Sequence, residues 1–220
     1  MKIIDLTHTI EARMPVYPHT VPPRIEPALS LEQDGYRETS LNVWSHTGTH
    51  IDAPSHLLAA GASLDQLPIQ QFFGLALKLE VSGFAGREIP LDFVQAFADK
   101  LKTCEFLVLH SGWEQKWGED GYFHGYPTLS REAAEYLAGF SLQGLGLDMI
   151  SADAPGRDDL PIHRALLSQG MIIVENLCGL DQVLGDLFLL CVLPLKYADA
   201  DGSPIRAVGF QAPAGIYYPE

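Results

Sequence analysis

Three imidazoles and a carboxylate fall within the run His46-Thr-Gly-Thr-His50-Ile-Asp52-Ala-Pro-Ser-His56. Nitrogen and oxygen donors gathered this closely suit zinc, manganese or iron. A histidine cluster held only by hydrogen bonds is the competing reading. A helix would put His46 and His50 on one face but turn Asp52 away, and Pro54 with two β-branched threonines opposes helix. A straight strand puts residues 46, 50, 52 and 56 on one face, but at roughly 3.3 Å per residue His46 and His50 would stand ~13 Å apart, too far for one ion. The segment must therefore bend. Gly48 can supply the unusual dihedrals or close backbone approach, so the expectation is an irregular turn after a strand ending near Trp44, with Pro54 stiffening the exit.

The four side chains need not share one task. A catalytic metal site keeps a position open for water, and a hydrolase also needs a group that carries the water proton to the leaving atom. His56, beyond Asp52 and across Pro54, is the candidate for that shuttle, which leaves His46, His50 and Asp52 as ligands. Two later residues are further ligand candidates: His163, opening a helix after Pro161, and Glu175, ending the apolar strand Met171-Ile-Ile-Val174. A carboxylate at the end of a buried strand is costly unless paired or metal-bound. Both also fit plain surface positions, and the residues alone leave that open.

Other chemistries find less support. His110-Ser111 places a base beside a hydroxyl in sequence, which does not bring Oγ to an imidazole, and no G-x-S-x-G elbow is present. Neither Gly83 to Gly86 nor Gly144-Leu-Gly146 forms a dinucleotide fingerprint. Tyr17, Trp44, Trp113 and Phe123 are candidates for lining a planar substrate's pocket, against the plainer reading of core aromatics.

These side chains must be positioned by short elements. Strands are expected at residues 2–6, 38–44, 76–81, 106–109, 144–148, 171–175, 188–193 and 207–211; several are continuous apolar runs of the kind covered on both faces. Helices are expected over 91–101, from an N-cap at Ser130 through Leu137, and from Pro161 to Gly170. Strands first and then alternating helices and strands indicate an α/β protein of mixed sheet. No repeat or composition shift divides the chain, so one domain over residues 1–220 is the economical reading.

Composition narrows the partners. With 47% hydrophobic residues in 220, the chain can build a sizeable core and a pocket. Lys and Arg number 14 against 28 Asp and Glu, a formal charge of -14. Nucleic acid and anionic membranes, which need clustered cations, are poor partners. Three cysteines without a CxxC spacing and an opening MKIIDLTHTI without a long apolar stretch lead to the expectation of a cytoplasmic protein with reduced thiols. The longest apolar run, around Leu187 to Leu195, is about half a membrane span.

The central run matches H-x-G-T-H-x-D-x-P-x-H and resembles the metal-dependent cyclase family, whose best-known members are bacterial kynurenine formamidases. Asp5-Leu6-Thr7, Pro15-Val16-Tyr17-Pro18, Gly146-Leu147-Asp148 with Ser151, and His163 with Val174-Glu175-Asn176-Leu177 extend the resemblance over most of the chain. It implies a swivelling β/β/α fold, a homodimer or homotetramer, and one or two divalent ions, zinc first and manganese second. His46, His50 and Asp52 would hold one ion, Asp52 would bridge to another held by His163 and Glu175, and His56 would donate and accept the proton. Tyr17 falls where such formamidases often carry a pocket tryptophan, and His19 where they usually carry glycine. The implied activity is hydrolysis of an N-formyl-arylamine; a lactam or lactone hydrolase of the isatin-hydrolase kind and a non-catalytic metal-dependent binding protein are the alternatives.

Overall fold

In a computed structural model that describes residues 1–211, nine strands form one mixed sheet. Their spatial order is Lys2–Asp5, Val208–Gln211, Leu187–Cys191, Phe73–Glu80, Phe106–His110, Gly144–Leu147, Ile172–Glu175, His50–Asp52 and Gly202–Pro204. The four from Phe73–Glu80 to Ile172–Glu175 run parallel, and antiparallel pairs flank this block on both sides. The expectation of an α/β protein with a mixed sheet is met.

The sheet divides two cores because neighbouring side chains of a strand point to opposite faces. Leu107 and Leu109 join Leu77, Leu145 and Ile173 in a core closed by Val94, Ala134, Leu137 and Leu166 of the helices. Phe106 and Val108 point the other way, into a core with Ala76, Ile172, Phe188 and Leu190. Ile51 lies in that second core at 0% exposure. Its neighbours His50 and Asp52 therefore face the opposite side of the strand together.

Two expected elements differ in detail. The helix expected over 91–101 is two pieces, Leu91–Gln95 and Ala98–Leu101. Phe97, at φ −107° and ψ 12°, leaves the helical region between them, and its N–H bonds three residues back to Val94 O. Its ring packs edge-on against Phe93, with centroids 5.5 Å apart. The strand expected over 38–44 is Glu38–Asn42, outside the main sheet: it pairs with Arg24–Leu29 in an exposed ribbon. The ribbon's first strand carries Pro27 at a register shift, where a missing N–H is tolerated.

The helices Arg131–Leu137 and Pro161–Leu167 follow the expected punctuation. Ser130 Oγ accepts the N–H of Ala133, and Pro161 opens the second helix. No helix among the described residues is long and apolar enough to cross a membrane.

Candidate metal centre

The histidine-rich run bends where expected and then does something the sequence did not announce. Gly48 sits at φ +66°, in the left-handed region. The irregular turn ends there, and His50–Asp52 becomes a strand between Ile172–Glu175 and Gly202–Pro204. The register sets His50 opposite Glu175 and Asp52 opposite both Ile173 and Gly202. A short 3-10 turn, Pro54–His56, then turns His56 back to the cluster.

Helix Pro161–Leu167 brings His163 from the other side. Its Nε2 lies 3.4 Å from Asp52 Oδ2 and 3.2 Å from Glu175 Oε1. His50 Nε2 lies 3.2 Å from Asp52 Oδ1 and 3.6 Å from Glu175 Oε2. His46 Nδ1 lies 2.6 Å from Asp52 Oδ1. The structure thus gathers His46, His50, Asp52, His163 and Glu175, and the last four are buried. The Asp52 carboxylate is shared, with Oδ1 toward His46 and His50 and Oδ2 toward His163.

The donor chemistry fits a divalent metal. Two ligand atoms about 2.0–2.2 Å from one tetrahedral ion stand roughly 3.3–3.5 Å apart, close to the four spacings of 3.2–3.6 Å made by His50 and His163. The buried oxygens of Asp52 and Glu175 would be costly without positive charge beside them. Three sets of donors lie close enough for an ion: two share Asp52, namely His46, His50 and Asp52, and Asp52, His163 and Glu175, and the third is the less buried set of His46, His56 and Asp201.

Outer partners fix which ring nitrogen is offered. His50 Nδ1 donates to Gly48 O at 2.8 Å, and the acceptor-only carboxylate of Asp153 takes His163 Nδ1–H at 2.7 Å. Both Nε2 atoms are thereby left toward the acids, the usual arrangement behind metal-binding histidines. Asn176, at φ +57°, donates from Nδ2 to the same Gly48 carbonyl at 2.9 Å and receives Tyr122 O–H at 2.6 Å.

Electrostatics follow the geometry. Burial works to lower the pKa of His46, but the Asp52 charge, then the bonds to Asp52 and Asp201, carry it up to about 9. For His163 burial is likewise outweighed, first by Asp153 and then by Asp52 and Glu175, and its pKa is well above the usual value. Asp52 is held well below the carboxylate range: burial opposes this, and the charges of His46 and His50 prevail. His56 goes the other way, lowered by burial and by the charges of His46 and His163 against Asp52.

His56 packs against His46 with ring centroids 4.0 Å apart and the planes tilted by 45°, and it opens onto a cavity of about 320 Å³. Tyr17 and Trp44 line this cavity with Pro15, Val16, Ile150 and Leu160. Of the other two aromatic candidates, Trp113 is buried in the helix-side core, donating Nε1–H to Tyr122 O, and Phe123 packs on the same core. His19 is exposed at φ +73°, in the left-handed region that glycine adopts most readily.

Three side chains have roles that residue spacing does not assign. Asp153 accepts the backbone N–H groups of Ile162 and His163 as well as His163 Nδ1–H. Its signal was indirect: Leu160, before Pro161, has no side-chain acceptor for the helix start, so a cap had to come from elsewhere. Asp201 places Oδ2 3.0 Å from His46 Nε2. Asp201 is not marked by residue spacing, since it arrives through strand pairing, whereas Asn176 stands next to Glu175 in the run Val174-Glu175-Asn176-Leu177 but shows its role only in the buried turn.

The family described as "Putative cyclase" matches residues 4–154. The chain is 32% identical over 206 residues to a kynurenine formamidase of Bacillus cereus, covering 93% of this chain and 95% of that one. Among solved structures, "The Structure Of Potential Metal-Dependent Hydrolase With Cyclase Activity" superposes with a TM-score of 0.79 at 26% identity, over 96% of this chain and 99% of that one. Isatin hydrolase A from Ralstonia solanacearum shares the fold, with a TM-score of 0.83 at 23% identity over 94% and 91% of the two chains.

Proposed function

This chain belongs to the cyclase family, and on that premise we propose that it is a metal-dependent amide hydrolase of the arylformamidase kind, converting N-formylkynurenine and water to kynurenine and formate. The observation that carries the reading is the shared Asp52, whose two oxygens join the His46–His50 and His163–Glu175 groups beneath a largely apolar cavity. His46, His50, Asp52, His163 and Glu175 would hold the ions, zinc first and manganese second. Bound there, a divalent ion supplies Lewis acidity toward the carbonyl and lowers the pKa of water.

The chain's own residues do the rest. Tyr17, Trp44 and the aliphatic wall receive a planar ring and exclude water from it. His56, whose lowered pKa keeps it neutral near pH 7, accepts the proton of the attacking water and delivers it to the amide nitrogen as the carbon–nitrogen bond breaks. Oxygen from water ends on the carbonyl carbon, and the proton ends on the amine.

A lactam such as isatin is the second reading. Among the described residues no lysine or arginine lines the cavity, which favours a substrate without a carboxylate. A cytoplasmic location and self-association as a homodimer or homotetramer belong to the same proposal, supported by three unpaired cysteines and the exposed ribbon. An isolated two-stranded ribbon is marginal in water.

The test is purification without chelator, elemental analysis, and hydrolysis of N-formylkynurenine, isatin and simple lactones. Stoichiometric zinc with turnover of the formamide is expected. Faster turnover of isatin would move the assignment to the lactam, and bound metal without hydrolysis of any amide or ester would make the protein a metal-dependent binder.

A further inference from the structure

We propose that Asp201 is a positioning residue that aligns the ligand His46 and the shuttle His56 with one carboxylate. The inference rests on the hydrolase reading above. Asp201 Oδ2 lies 3.0 Å from His46 Nε2 and 3.9 Å from His56 Nδ1, and the two imidazoles are in contact. His46 therefore has a carboxylate at each ring nitrogen, Asp52 at Nδ1 and Asp201 at Nε2. If Nδ1 is to offer its lone pair to an ion, the ring proton must sit on Nε2, and Asp201 is placed to accept it. A carboxylate behind a histidine ligand fixes its tautomer and orientation and raises its basicity.

The same oxygen faces His56. When His56 takes up a proton it becomes a cation beside two other imidazoles, and the Asp201 carboxylate offsets that charge. At 3.9 Å this contact has ion-pair spacing and is not a hydrogen bond, so Asp201 acts on His56 through its charge and through His46. The backbone makes the placement firm. Ala53 N–H donates to Asp201 O at 2.9 Å, and Gly202 is paired opposite Asp52, so Asp201 is fixed beside the ligand strand. Its side chain is 46% exposed, so Asp201→Asn is compatible with folding.

Asp201→Asn, Asp201→Ala and His56→Ala, with the double variant His56→Ala/Asp201→Asn, test this in the full chain. Chelator competition is expected to show metal affinity about 10–100-fold weaker in both Asp201 variants, with metal-free melting unchanged. At saturating metal, Asp201→Asn should lower kcat about 10-fold or more with KM within about threefold. Placed on His56→Ala, it should cost no further kcat beyond about twofold, while still weakening metal binding through His46. Unchanged metal affinity together with unchanged kcat in Asp201→Asn overturns the inference. So does an equal kcat loss with and without His56, because Asp201 then acts independently of the shuttle. Wild-type turnover in His56→Ala would instead overturn the shuttle reading, and with it the His56 part of this role.

Discussion

Asp153 accepts His163 Nδ1–H at 2.7 Å and caps the helix that carries this histidine, taking the backbone N–H groups of Ile162 at 2.9 Å and His163 at 3.0 Å. One buried carboxylate thus fixes both the helix start and the direction of a ring nitrogen. Asp153→Ala leaves the ring proton and two backbone donors without partners in a site where Asp153 is 2% exposed. The expected stability loss is about 2–4 kcal/mol by urea denaturation, and metal affinity should fall about 10–100-fold. A variant that binds metal as the wild type does would show that His163 is oriented without Asp153.

Protons and metal compete for the same imidazoles. In the metal-free protein His46 titrates at about 9 and His163 well above its usual value. Metal uptake below about pH 9 must therefore displace protons, and each proton released makes apparent affinity fall about tenfold per pH unit of acidification. Calorimetry in buffers of different ionisation enthalpy should detect at least one proton released per ion at pH 7.5. Affinity that does not change between pH 7 and 9 would contradict this picture. Chelation should also lower the melting temperature, because an ion bound only by the folded chain stabilises it by mass action.

The candidate ligands are legible in the sequence and their supports are not, for one physical reason. His46, His50, Asp52 and His56 lie close along the chain, and the distance argument alone required a bend that Gly48 provides at φ +66°. Glu175 was visible as an acid closing a buried run, where its cost demanded a partner. His50–Asp52 did not read as a strand, because three residues carry no period and the ladder comes from Ile172–Glu175 and Gly202–Pro204, more than a hundred residues away. Asp201 reaches His46 only through that pairing. The ribbon strand Arg24–Leu29 was hidden by Pro27, which an exposed edge pair tolerates. Local spacing reports the candidate donors; it is silent about groups that reach them through backbone register.

Glu114 carries a pH dependence of stability separate from the metal centre. Burial, and then the charge of Asp148, push its pKa up to about 7, and its Oε2 is buried without a hydrogen-bond partner among the described residues. The folded form holds the proton more tightly than the unfolded chain, whose value is 4.5. Its contribution to stability is therefore fully present below about pH 4.5 and is lost as pH rises through about 7. Glu114→Gln removes the ionisation. Urea denaturation should find it about 1–2 kcal/mol more stable than wild type at pH 8 and no more stable at pH 4.5. An equal gain at both pH values would assign the effect to packing and not to charge.

Gly202 leaves room for His46. A Cβ at Gly202 would stand 2.5 Å from His46 Cε1 and 2.9 Å from both ring nitrogens. The backbone of Gly202 is outside the left-handed region, so an alanine there meets the imidazole and no dihedral penalty. Gly202→Ala must therefore displace the His46 ring from its position against Asp52 and Asp201, while Asp52, His163 and Glu175 are expected to keep their mutual spacing. Elemental analysis after dialysis should find metal content reduced toward the share held by the second group. The overpacking should cost about 1–3 kcal/mol in the metal-free protein. His46→Ala removes the obstructing ring, so Gly202→Ala/His46→Ala should be as stable as His46→Ala alone. If the two losses simply add, the strain lies elsewhere in the strand pair and Gly202 does not serve the ligand.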